Sequence, residues 1–128
     1  MDRPQYWLVG ASWGGTRHQD EAWLQKGIWM LGYEKGYQKQ RASQIAEGDR
    51  IAIKRMRGQG QRDLRIMHIG IVRGVIHETN KVICTVNWAA THLNRVISES
   101  KGCFQSVHGP YSKSDPAMKQ WLEEIFSL

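Results

Sequence analysis

The chain has 128 residues and a mass of 14.8 kDa, one domain's worth, and on mass scaling about two-thirds of its surface is buried on folding. Its 41% hydrophobic and 23% charged composition excludes a disordered chain, the lack of an 18-residue apolar run or a charged-then-apolar leader argues against membrane spans and secretory signals, and two cysteines are too few for a disulfide scaffold. Eighteen Lys and Arg against twelve Asp and Glu give a net +6 and a pI near 9.6, which points to a polyanionic partner.

Tyr6-Trp7-Leu8-Val9 is a short β-prone run that ends in Gly10-Ala11-Ser12-Trp13-Gly14-Gly15. Thr16 then caps a helix, with Gln19 as capping-box partner, Trp23 and Leu24 on its buried side and Gly27 as its stop. Residues 33–47 are polar, glycine-broken and weakly helical at best. Gly48-Asp49 turns into the alternating strand Arg50-Ile51-Ala52-Ile53-Lys54. A long β-prone segment from Ile66 to Ile76 holds Gly70 and Gly74, the marks of bulges or a bend in a small barrel. Val82, Cys84, Val86 and Trp88 share one face of the next strand by period two, and a further short strand is expected over 104–107. Asp115 and Pro116 start a C-terminal helix striped by Met118, Trp121, Leu122, Ile125 and Phe126. The sequence therefore predicts one α+β domain over 1–128, built on a small, strongly curved sheet.

Signals for catalysis are missing. Residues His77, Cys84, His92, Cys103 and His108 match no zinc spacing, and Ser12, His68 and Asp49 form no more than the Ser/His/Asp set any chain this long can supply. No enzyme, cofactor or metal is expected, and Cys84 and Cys103 read as reduced intracellular thiols. The charge, by contrast, is concentrated. Lys54, Arg55, Arg57, Arg62 and Arg65 stand against Asp63 alone, a net +4 within residues 54–65, and read as a basic loop that clamps a phosphate backbone. Six tryptophans exceed what packing requires, and indoles stack on bases. Trp7 and Trp121 are assigned to packing. Trp13, Trp29 and Trp88, each at a strand end or beside glycines, read either as core or as walls of one pocket for a flipped base. Ser12, Gly14 and Tyr33 join that candidate pocket.

The order Tyr6-Trp7-Leu8-Val9-Gly10-Ala11-Ser12-Trp13, Gly27-Ile28-Trp29, Gly48-Asp49-Arg50-Ile51-Ala52-Ile53-Lys54, Ile69-Gly70-Ile71-Val72, Val86-Asn87-Trp88 and His108-Gly109-Pro110-Tyr111-Ser112 resembles an EVE domain of the PUA-like superfamily. This family is related to YTH domains, and the likeness is nearest to the N-terminal modules of McrB-type modification-dependent restriction proteins. It runs over residues 5–112 and is weakest over 33–47 and 56–65. The resemblance implies a PUA-like pseudobarrel, a curved mixed sheet of about five to six strands with peripheral helices. It also implies a reader that holds a modified base in an aromatic cage. Ser12 and Trp13 would form one wall, Trp29 another, and Trp88 would line or support the pocket, while Lys54 would reach a phosphate or base edge. The expected partner is nucleic acid, DNA ahead of RNA, with a nuclease or GTPase effector in cis or trans and no membrane. The expected setting is the cytoplasm and nucleoid of a prokaryote. An RNA reader of the YTH or PUA kind and a small-ligand sensor or interaction domain are the alternatives.

Overall fold

A computed structural model describes residues 4–13, 17–32, 37–56, 64–79, 81–97, 99–103 and 106–128, with the backbone alone at positions 12, 13, 17, 37 and 56. The protein is a mixed α+β fold around a strongly curled open sheet, as the sequence predicts. The strands are β1 (Tyr6–Gly10), β2 (Ser12–Trp13), β3 (Arg17–His18), β4 (Ile28–Gly32), β5 (Arg50–Met56), β6 (Leu64–His77), β7 (Lys81–Ala90), β8 (Arg95–Ile97) and β9 (Val107–Tyr111). The helices are α1 (Asp20–Lys26), α2 (Tyr37–Ala42) and α3 (Pro116–Phe126). The sheet runs β4-β7-β6-β5-β1-β9, with β8 added to β6, and β2 and β3 pair separately. Strands β1 and β5 pair in parallel.

Curling separates two cores. The inner face gathers Trp7, Val9, Trp23, Trp29, Ile51, Ile53, Val72, Val82, Cys84 and Val86. The outer face holds Leu8, Ala52, Leu64, Ile66, Ile69 and Ile97 beneath Trp121, Leu122 and Ile125 of α3. That β4 closes over β1 is shown by Trp29, whose Nε1 donates to the Gly10 carbonyl at 2.9 Å although three strands lie between. The buried set Val82, Cys84 and Val86 follows the predicted period, and the α3 stripe is buried behind an Asp115 cap that accepts from the Ala117 N–H.

Asp49 ties the start of the sheet together. Its side chain is fully buried; one oxygen accepts from Gln5 N at 3.0 Å and the other from Trp7 Nε1 and Ala46 N, each at 3.0 Å. The register of β6 slips where predicted, between Ile69 and Gly70 and between Val72 and Gly74. Gly70 is obligatory there: a Cβ would sit 2.4 Å from Val86 Cγ1 and 2.9 Å from Trp88 Cε3.

Three expectations need adjusting. The first helix begins at Asp20 with Gln19 at its cap position and no side-chain cap bond, while 17–18 form a strand; Thr16 lies outside the described residues. The late strand is β9 at Val107–Tyr111, which meets the expected segment at Val107, while 104 and 105 lie outside the described residues; β8 was not foreseen. The 33–47 segment contains a six-residue helix, α2, whose Gln38 and Arg41 side chains bond the N–H and carbonyl of Val107.

Candidate nucleic-acid interface

A further slip, between β5 and β6, positions the site. Across β5 and β6, Ile53 pairs with His68 but Lys54 pairs with Ile66, so Met67 is an extra residue on β6. Leu64 and Ile66 face the outer core, and strict alternation would send His68 there too. The bulge instead turns His68 to the inner side, where it is fully buried. The His92 N–H donates to His68 Nδ1 at 2.9 Å, which fixes the proton on Nε2, and Nε2 donates to Asp20 Oδ2 at 3.0 Å. Arg55 Nη2 donates to the same oxygen at 2.9 Å. Burial alone would raise the Asp20 carboxyl, but the His68 bond and the Arg55 charge outweigh it and hold the group below its ordinary value.

This Arg55-Asp20-His68 chain leads to Trp88. The His68 ring lies edge-on to the indole at 6.4 Å between centroids, and edge-on to His92 at 5.0 Å on another side. Trp88 is partly buried, and its Nε1 is a buried donor without a partner. Arg65 stands directly across from Arg55 in the β5–β6 register and bonds Asn94 Oδ1 through Nη1, while its own Nε is also buried and unpartnered. Among the described residues these two N–H groups are the buried side-chain polar atoms left unsatisfied. Other indoles are satisfied: Trp7 on Asp49, Trp29 on Gly10 and Trp121 on Glu99.

From the predicted set, the structure thus links Trp88 to Arg55 through His68 and Asp20, and sets Arg65 across the strand pair from Arg55. Asp20 and His68 join them unpredicted, since a first-turn acid and a strand histidine carry no signal by themselves. Ser12 and Trp13 form β2, which leaves β1 just beyond the Gly10 carbonyl held by Trp29, and their backbones pair with His18 and Arg17. Gly14, Tyr33, Arg57 and Arg62 lie outside the described residues.

Two predicted site residues are placed differently. Trp29 is fully buried in the inner core with its N–H occupied, so it presents no open ring face; the curl that closes β4 over β1 consumes it. Lys54 is the other. Alternation from Ile53 turns it to the outer face, where it is 8% exposed and lies away from Arg55 and Arg65. Burial pushes its amine down to about 8, with partial compensation from the neighbouring Cys103. The Cys103 thiol is itself raised by burial, and its sulfur lies 3.7 Å from the Tyr111 hydroxyl. Both cysteines are free and buried. Among the described residues, no three His, Cys, Asp or Glu side chains cluster closely enough to hold a metal ion, and no helix is long and apolar enough to cross a membrane.

No protein-family model matches this chain, and no curated protein matches it in sequence.

Proposed function

We propose that the protein is a non-catalytic reader that turns one methylated or hydroxymethylated base out of a nucleic-acid strand into an aromatic pocket beside Trp88. DNA is the favoured target, in a modification-dependent restriction or defence setting, with a nuclease or GTPase as effector. The observation that carries this reading is the Trp88 Nε1 donor, buried with nothing to donate to. Such a group costs about 1–3 kcal/mol, and a ligand acceptor is one reason for a fold to retain it. A base edge offers that acceptor, and the indole face adds about 1–3 kcal/mol of stacking, comparable to the cost of unstacking the base.

The surroundings suit the rest of a nucleotide. Arg55 and Arg65 are held side by side by Asp20 and Asn94, so their remaining donors are ordered for phosphate oxygens. By the resemblance to EVE modules, Ser12 and Trp13 would add a wall to this pocket. Trp88→Phe tests the donor. Affinity for the modified probe is expected to fall about 5- to 30-fold, while stability changes by less than about 1 kcal/mol because the lost packing is offset by removal of an unsatisfied donor. Fluorescence anisotropy and urea unfolding on the same variant measure the two. Unchanged preference for the modified base would reject Trp88 as the reading group. In parallel, Trp13→Ala is expected to remove the preference and leave weak, salt-sensitive binding; equal loss on modified and plain probes would speak against the cage.

A further inference from the structure

On the other face of the sheet, β6 and the end of α3 bound a groove of about 260 Å³. Ile69 and Ile71 of β6 and Phe126 of α3 give it an apolar floor, and Tyr6, Arg50 and Lys113 line the remainder. Phe126 and Tyr6 meet edge to face at 4.9 Å. The Lys113 ammonium stands 5.3 Å above the Tyr6 ring, a contact that steadies the charge without neutralising it. Arg50 uses Nη1 on the Gly48 carbonyl, which orients the guanidinium and leaves its other donors. None of the lining side chains is acidic, and among the described residues neither Arg50 nor Lys113 has a carboxylate within ion-pair distance. Two cations without an ion-pair partner among the described residues therefore border an apolar surface with room for one ring-sized body, and Leu128, the last residue of the sequence, lines the same groove.

We propose that this groove is a second binding site, for a small organic anion whose acidic head lies between Arg50 and Lys113 and whose aryl body rests on Ile69, Ile71 and Phe126. The planar Arg50 fork matches a carboxylate or phosphate, and Lys113 adds a point charge. The volume is just below the usual range of ligand pockets, roughly 300 Å³ and upward, which limits the site to a small ligand and is too small for a peptide strand or a folded partner. The site does not rest on the nucleic-acid reading: Gly70 lies in the sheet between it and the inner side, where a Cβ at Gly70 would meet Trp88.

The test is a titration followed by ¹⁵N–¹H correlation spectra, using 1-naphthoate, adenosine 5′-monophosphate, inorganic phosphate and neutral 1-naphthamide. Saturable shifts at Ile69, Ile71 and Phe126 with naphthoate or the nucleotide are expected, and which of the two binds more tightly identifies a carboxylate or a phosphate head. Lys113→Gln, a change at an exposed position, is expected to weaken that binding at least 5-fold, and Arg50→Gln to weaken it further. Oligonucleotide binding at the Trp88 end is expected to be unaffected by Lys113→Gln. Equal response to naphthamide, equal affinity for phosphate alone, no saturation at millimolar probe, or unchanged binding in both variants would each overturn the proposal.

Discussion

Replacing Asp49 with asparagine changes one oxygen to an amide and removes a buried charge that organises three separate segments. Oδ2 accepts from Trp7 Nε1 and Ala46 N, and Oδ1 from Gln5 N, all at 3.0 Å. The amide oxygen of asparagine serves the first two donors, but its NH₂ then points at the Gln5 N–H. One buried donor is left opposed, at a cost of about 1–3 kcal/mol, and two charge-assisted bonds fall to neutral strength, about 1 kcal/mol each. The expected loss is about 3–5 kcal/mol, a large share of the roughly 5–15 kcal/mol that holds a domain together. For a chain of this length, about 4 °C per kcal/mol converts that to a drop of about 12–20 °C in Tm. Urea unfolding monitored by tryptophan fluorescence and far-UV circular dichroism measures it. A loss below about 1 kcal/mol would show that Asp49 does not organise the start of the sheet.

Two further predictions concern the charges. Because the folded-state pKa of Lys54 lies near 8, below its unfolded value of about 10.4, the unfolded chain binds more protons between those limits, and this lysine makes stability rise with pH across that window. Lys54→Met is expected to stabilise the protein by on the order of 2 kcal/mol at pH 7 and by much less at pH 10; a difference independent of pH in urea unfolding would refute the assignment. Arg55→Gln is expected to weaken oligonucleotide binding across sequences and lower the salt slope by about 1, with the fold retained through the Asp20–His68 bond; an unchanged slope would remove Arg55 from the phosphate contacts.

Periodicity made β6, β7 and α3 legible, because Val82, Cys84 and Val86 alternate cleanly and the α3 stripe follows an Asp-Pro start. It also carried the outward turn of Lys54, since Ile51 and Ile53 define the opposite face, although the concentration of positive charge suggested a solvent-facing clamp. The bulge at Met67 was not legible. No glycine or proline marks it, yet it decides that His68 reaches Asp20 instead of the outer core. Burial of Trp29 depends on contact between strands that are distant in both sheet order and sequence, so three similar tryptophans could not be ranked by local context. The unsatisfied Trp88 donor is a property of the closed fold alone, visible only once every neighbouring acceptor is placed.

The most direct measurement is fluorescence anisotropy of the full chain with matched DNA and RNA oligonucleotides, plain or carrying one methylated or hydroxymethylated base, at two salt concentrations. A reader that uses the Trp88 pocket binds one modified DNA probe more tightly than its plain counterpart and keeps that preference as salt rises, because pocket contacts release few counterions. Indistinguishable binding to every probe, falling together with salt, would leave only an electrostatic surface and contradict modified-base recognition.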